Sequence, residues 1–157
     1  DVVIEKPRAV LYIDDKAFRF ACKNEHLEVA QWLFNIITNI ETSFVNITKL
    51  DVVEASITKN TKIIFCESVS NPLLEVADIE GLAILAKKYR LTLVVDNTFS
   101  PLSISPAKLG ADVVIHSLTK FINGTSDTMG GVVCGSADFV NSLKSVFFQV
   151  CMVLDCM

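Results

Sequence analysis

Four short apolar runs constrain the fold of this chain more than any other feature of its sequence. They are KIIFC (62–66), LTLVVD (91–96), ADVVIH (111–116) and GGVVCG (130–135). Each has the length of a strand and little polar alternation, which is typical of strands buried on both faces of a sheet. Helical or turn patterns separate the runs, so the alternation predicts an α/β domain with a parallel-type sheet covered on both faces.

Helical patterns surround these runs. The pattern of residues 77–90 predicts an amphipathic helix. Its acidic residues lie at the start and its basic residues at the end, the arrangement that the helix dipole favours. The remaining predicted elements are a helical pair within 15–37, a short strand at 43–47, helices at 50–57 and 136–150, and a short helix at 106–110 that Gly110 closes.

Composition narrows the class of protein. The chain has 157 residues, of which 51% are hydrophobic and 20% charged, as expected for a globular domain. Its net charge of −4 argues against nucleic acid as the main partner, and no apolar run is long enough to span a membrane. The five cysteines form no CxxC pair, so we predict no metal site and reduced thiols in a cytoplasmic protein.

Polar side chains follow three of the predicted strands, where ligands bind in α/β sheets. Asn71 follows the first strand, Asp96 ends the second, and Ser117 and Lys120 come directly after the third. A carboxylate at the end of a buried strand needs a partner. Asp96 is therefore either a loop cap or the partner of a protonated ring nitrogen in a cofactor.

Lys120 also has two interpretations. Most single lysines are ordinary surface residues. Here the hydroxyls of Ser117 and Thr119 precede the amine, and hydroxyls with backbone N–H groups suit a phosphate. A lysine beside a phosphate pocket and an aspartate has the surroundings of a Schiff-base lysine.

Three segments carry a family resemblance: TKIIFCESVSNPLLEVADI, LVVDNTFSPLSISPAKLGADVVIHSLTKFINGTSD and GGVVCG. They resemble the pyridoxal phosphate-dependent enzymes of cysteine and methionine metabolism, the trans-sulfuration family, and within it the methionine gamma-lyases most. The resemblance covers about residues 40–135, and three motifs in order make it specific. It implies a partial large domain of pyridoxal phosphate fold-type I, the aspartate aminotransferase-like fold, with a mostly parallel sheet.

The resemblance also assigns roles. Lys120 matches the catalytic lysine that carries pyridoxal 5'-phosphate as a Schiff base and moves protons between substrate carbons. Asp96 matches the aspartate that pairs with the pyridine nitrogen, Ser117 and Thr119 match phosphate ligands, and Asn71 matches the asparagine near the 3'-oxygen. Thr98 is expected in the same pocket. The implied reaction is elimination of a sulfur group from an amino acid, by an enzyme that forms homo-oligomers in this family.

The chain also departs from the family. It is much shorter than family members, and it shows neither the Tyr-x-Arg clamp nor the C-terminal domain expected of them. Residues 17–34 instead resemble a single ankyrin repeat. We therefore predict a helical, ankyrin-like segment at 1–38 and the partial large domain at 39–157. The alternative to a lyase is a catalytically inactive fragment or an interaction module that uses the ankyrin-like helices.

Overall fold

The computed structural model describes residues 41–125 and 127–147, with backbone alone for 144–147. The chain divides into two compact units, Asp1–Asn46 and Ile47–Met157, and all the elements named below belong to the second. The ankyrin-like segment and the predicted boundary at residue 38 lie outside the described residues, so both stay predictions.

The second unit is an α/β structure built on four strands. The strands are β1 (Ile63–Glu67), β2 (Thr92–Asp96), β3 (Val113–Ser117) and β4 (Gly131–Cys134). The α-helices are α1 (Leu50–Ser56), α2 (Ile79–Tyr89) and α3 (Ala137–Phe147). Two shorter elements complete it, a 3-10 helix (Pro106–Leu109) and a single π-helical turn (Leu118–Ile122).

The sheet is mostly parallel, as the sequence predicts. Its strand order is β1-β2-β3-β4, with β1, β2 and β3 parallel to one another. Strand β4 is the exception, since it runs antiparallel to β3. The connection from β3 to β4 contains the π-helical turn and no crossover helix, and a parallel strand would need such a crossover.

Among the described residues, one face of the sheet is covered better than the other at β1 and β2. Ile64 and Cys66 of β1 are buried on that face, and their register partners Leu93 and Val95 have no exposed surface. On the opposite face Phe65 is 58% exposed. The expectation of cover on both faces is therefore wrong at β1.

Helix α2 supplies much of the cover. Asp78 caps its N-terminus by accepting a hydrogen bond of 2.9 Å from the backbone N–H of Gly81. Its apolar residues Leu82, Leu85 and Ala86 are buried. The helical period brings these positions to one side of the helix, so the same sequence pattern sets both the helix and its packing face.

A surface cluster joins α1 to α2. The carboxylate of Glu54 accepts hydrogen bonds from Lys88 Nζ at 2.6 Å and from the Tyr89 hydroxyl at 2.7 Å. These two bonds lower the pKa of Glu54, and the bond to Glu54 raises the pKa of Lys88. Both side chains face water, so this cluster orients α1 against α2 more than it stabilises the fold.

Among the described residues, one predicted element is not formed, the short strand at 43–47. Residues 43–47, predicted as a strand, have no regular secondary structure. Phe44, the large apolar side chain of this segment, is 38% exposed. A short apolar segment without burial and without a neighbouring strand gains too little to hold an extended conformation. In the described part of the chain, no helix has the length and apolarity needed to cross a membrane.

We expect Leu82→Ala to lower the free energy of unfolding by about 2–5 kcal/mol, because it leaves a cavity under α2. Leu82 has 0% exposure, whereas Ile84 of the same helix is 69% exposed. Urea unfolding followed by circular dichroism measures the change, with Ile84→Ala as the matched control. Equal losses in the two variants would contradict the proposed packing of α2.

The two described cysteines should react very differently. Burial, with a smaller effect from the charge of Glu67, raises the pKa of the Cys66 thiol to about 12. Because the thiolate is the reactive form, we expect iodoacetamide at pH 8 to modify the exposed Cys134 and to leave Cys66 intact. Peptide mapping measures both sites. In urea Cys66 should react as well, and its modification in the native chain would show that β1 is not buried as described.

Candidate active site

The carboxyl ends of the three parallel strands meet at one edge of the sheet. Glu67, the last residue of β1, is the register partner of Asp96, the last residue of β2. Asp96 in turn is paired with Ile115, two residues before Ser117 at the end of β3. Because side chains alternate along a strand, Glu67, Asp96 and Ser117 share the sheet face opposite the covered one.

Thr98 ties two of these strand ends together. Its backbone N–H donates a hydrogen bond of 2.9 Å to Oδ1 of the half-buried Asp96. Its hydroxyl oxygen accepts a hydrogen bond of 2.7 Å from the backbone N–H of Ser117. Within the described residues, Oδ2 of Asp96 and the hydroxyl of Ser117 have no hydrogen-bond partner. Thr98 therefore contacts both Asp96 and Ser117.

A buried polar cluster lies directly behind these residues. Ser68 and Asn97 are 0% and 1% exposed. Asn97 Oδ1 accepts hydrogen bonds from the hydroxyls of Ser68 at 2.7 Å and Ser100 at 2.8 Å. Asn97 Nδ2 donates to the carbonyl of Ile104 at 2.9 Å. The side chain of Asn97 therefore fixes the residue after β1 and the loop after β2 at once.

The backbone of Asn97 extends the cluster to the third strand. Its N–H donates to the carbonyl of Ile115 at 2.8 Å. Its carbonyl oxygen lies 3.1 Å from Nδ1 of His116, and since a carbonyl can only accept, that nitrogen carries the proton. The carbonyl of Asp96 accepts the N–H of Ser68 at 2.8 Å. The position of Asp96 is thus set by bonds to both neighbouring strands.

Lys120 lies in the π-helical turn that follows β3. Its φ and ψ of −97° and −112° are not helical. Two backbone bonds close the turn, from Asn123 N–H to Leu118 O at 2.9 Å and from Gly124 N–H to Lys120 O at 2.7 Å. The side chain is exposed, and within the described residues its amine has no hydrogen-bond or ionic partner. Single π-type turns are frequent at functional sites.

Thr119 contacts the start of β4. Its hydroxyl oxygen accepts the backbone N–H of Gly130 at 3.0 Å and lies 3.4 Å from the carbonyl of the same residue. The hydroxyl therefore holds the start of the turn against the start of β4. Beyond the turn, Asp127 accepts hydrogen bonds from Asn123 at 2.7 Å and Thr125 at 2.6 Å, and these lower its pKa.

Asn71 lies in the loop after β1 and is exposed. Its backbone N–H donates to Oε2 of Glu67 at 2.9 Å, and the peptide bond to Pro72 is cis. The hydroxyl and backbone of Ser70 bond to Glu75 and hold the two sides of this loop together. The structure therefore places Asn71 at the same edge of the sheet, without a direct contact to Asp96.

The structure links Asp96 and Ser117 through Thr98, and places Lys120 in the turn that begins immediately after Ser117. Sequence reasoning missed the buried cluster centred on Asn97. The sequence does contain a signal for this cluster, because Asn97 directly follows a buried strand and a buried polar residue is expected to have hydrogen-bond partners. Which partners it finds depends on residues about 30 positions away, and no local pattern gives that information.

The donor set suits pyridoxal phosphate. Within the described residues, Oδ2 of the half-buried Asp96 has no hydrogen-bond partner, so this oxygen can accept a hydrogen bond from a protonated ring nitrogen. Ser117 offers a hydroxyl on the same face, and Lys120 an amine without an ionic partner within the described residues. The described part of the chain holds no group of His, Cys, Asp and Glu that could bind a metal ion. Fold and donor set are therefore compatible with a site for pyridoxal phosphate.

Comparison with known proteins identifies the family. The family model described as Cys/Met metabolism PLP-dependent enzyme matches residues 24–155, and the chain belongs to this family. The match begins within the segment that resembles an ankyrin repeat, and no comparison supports that second resemblance.

Several curated proteins are similar over most of the chain. Methionine gamma-lyase of Arabidopsis thaliana is 51% identical over 109 residues, 69% of this chain and 25% of that protein. Canavanine gamma-lyase of Rhizobium leguminosarum bv. trifolii is 48% identical over 108 residues, 68% of this chain and 27% of that protein. The chain thus spans about a quarter of the length of these relatives.

A solved structure confirms the fold. The crystal structure of cystathionine gamma-lyase from Lactobacillus plantarum complexed with L-serine matches with a TM-score of 0.63 and 32% identity. The match covers 79% of this chain and 31% of that chain. The predicted partial large domain of fold-type I is therefore confirmed.

We expect Asn97→Ala to lower the free energy of unfolding by about 2–4 kcal/mol, because it leaves the Ser68 hydroxyl and the Ile104 carbonyl without their buried partner. Ser103→Ala, in the same loop and exposed, is the control and should change stability by less than about 0.5 kcal/mol. Urea unfolding measures both variants. A change below about 1 kcal/mol for Asn97→Ala would show that the cluster does not hold the strand ends.

Proposed function

We propose that this chain provides the pyridoxal phosphate-binding part of a carbon–sulfur lyase that acts on sulfur-containing amino acids. The observation that carries the proposal is the double contact of Thr98, which bonds to Asp96 Oδ1 and to Ser117 N–H. These bonds hold the two predicted cofactor ligands on neighbouring strand ends, with the turn of Lys120 directly after them.

Asp96 is proposed to pair with the ring nitrogen. Its Oδ1 is occupied by Thr98, so Oδ2 is the oxygen available to accept a proton-bearing nitrogen. A half-buried carboxylate favours the protonated form of a nitrogen that binds beside it. When bound, pyridoxal phosphate supplies the electron sink that a reaction at an amino acid α-carbon needs.

Lys120 is proposed to hold the cofactor covalently through its amine and to move protons at the substrate carbons. An amine without an ionic partner in the described residues does not have to break an ion pair before it reacts. The turn fixes the backbone on both sides of the lysine, which favours one position for the side chain.

Three further residues complete the proposed site. The Ser117 hydroxyl is suited to donate to a phosphate oxygen. Thr119 can do the same through its hydroxyl proton, because its contact with the Gly130 carbonyl is long, at 3.4 Å, and easily exchanged. Asn71 is proposed to contact the 3'-oxygen from the loop after β1.

The substrate class follows from the family description, which concerns cysteine and methionine metabolism. The relatives named methionine gamma-lyase and cystathionine gamma-lyase support elimination of a sulfur group as the reaction. We propose a homo-oligomer in the cytoplasm, where the described cysteines remain free thiols. The alternative of an inactive fragment or interaction module is less well supported, because the family match spans residues 24–155.

The test is cofactor attachment. We expect the purified chain to turn yellow with pyridoxal phosphate, and borohydride reduction followed by peptide mapping to find the cofactor on Lys120. Lys120→Ala should abolish this adduct. Asp96→Asn should weaken cofactor binding about tenfold or more, because an amide does not stabilise a protonated nitrogen as a carboxylate does.

The control is Lys108→Ala, which removes an exposed lysine of the 3-10 helix and should leave the Lys120 adduct unchanged. Circular dichroism confirms that each variant is folded. Labelling spread over surface lysines, or absence of any adduct from the folded wild-type chain, would overturn the proposed function.

A further inference from the structure

An aromatic pair joins the loop after β2 to the turn that carries Lys120. The rings of Phe99 and Phe121 meet edge to face, with centroids 5.0 Å apart and planes inclined by 60°. Phe99 follows Thr98 directly, and Phe121 follows Lys120 directly. The pair therefore connects the residue after Thr98 with the residue after Lys120.

The contact completes a two-sided support of Lys120. On the N-terminal side, Thr119 is bonded to the backbone of Gly130 at 3.0 Å. On the C-terminal side, Phe121 is packed against Phe99. The dihedral angles of Lys120 itself are not helical, so regular helical bonding does not by itself fix its direction. Thr119 and Phe121 then limit the positions that the Lys120 amine can occupy.

Burial alone does not account for the pair. Phe99 and Phe121 remain 39% and 56% exposed, so their contact adds little to the core. The edge-to-face arrangement is the geometry in which the ring quadrupoles attract each other, and it restricts the orientation of both rings. An exposed, oriented contact between two functional loops is better suited to positioning than to stabilising the fold.

We propose that Phe121, through its contact with Phe99, is a positioning residue that sets the Lys120 amine relative to Asp96. The inference rests on the proposed function, in which Lys120 holds the cofactor. Without the contact, the turn keeps its backbone bonds and the Thr119 bond but loses its link to the loop after β2, so the amine samples more positions. The fraction of molecules ready to bind the cofactor then falls, and the apparent affinity falls with it.

The experiment measures pyridoxal phosphate attachment at Lys120 in the full chain, by titration, borohydride reduction and peptide mapping. The variants are Phe121→Ala, Phe99→Ala and the double substitution, with Phe121→Tyr as the conservative replacement. Leu102→Ala is the matched control, because Leu102 belongs to the same loop as Phe99 and is 100% exposed. Circular dichroism and thermal unfolding verify the fold of each variant.

We expect each single alanine variant to bind the cofactor at Lys120 about three- to tenfold more weakly, which corresponds to the strength of one aromatic pair. The double variant should be no weaker than either single variant, because both remove the same contact. Phe121→Tyr should bind like the wild type, and Leu102→Ala should have no effect.

Additive losses in the double variant, or unchanged binding in Phe121→Ala, would overturn the inference while leaving the proposed function intact. If Phe121→Ala does not fold, Phe121→Leu replaces it: weaker binding than Phe121→Tyr supports the inference, and equal binding rejects it. Failure of the wild-type chain to form the Lys120 adduct would instead reject the proposed function, and this inference with it.

Discussion

The hydrogen bonds of Asn97 are the interactions on which the rest of the site depends. Its side chain binds Ser68, Ser100 and Ile104, and its backbone binds Ile115, so three strand ends and one loop meet at a single buried amide. A buried amide whose oxygen and nitrogen both have hydrogen-bond partners holds those partners firmly, because it is costly to leave a buried polar group unpaired. The positions of the neighbouring Asp96 and Thr98 follow from it.

The two faces of the sheet have different roles. The face with Cys66, Leu93 and Val95 packs beneath α2 and supplies the core. The other face carries Asp96 and Ser117 at its carboxyl edge, while Phe65 remains largely exposed. Because side chains alternate along each strand, the polar strand ends point to the face opposite the core that supports them. The chain covers about a quarter of the length of its relatives, which agrees with a sheet that has an open face.

Much of the fold could be predicted from local patterns. The strands and the helices at 50–57 and 77–90 were found within two residues, because apolar runs and caps such as Asp78 are local signals. The strand at 43–47 was predicted wrongly, and the antiparallel direction of β4 was not predicted. Both depend on what a segment meets in space, since a strand needs a partner and its direction depends on the connection. Asp96, Ser117 and Lys120 could be proposed as site residues because each ends or follows a recognisable apolar run.

The sequence by itself determined the class of structure, the order of its elements and the residue types available for chemistry, because periodicity and motif spacing are written along the chain. Tertiary structure decided which of these residues meet. The bond of Thr98 to Ser117, the cluster around Asn97, and the pairing of Phe99 with Phe121 all join residues from different strand ends or loops. Their distances depend on strand register and loop closure, and these are set only when the whole sheet packs.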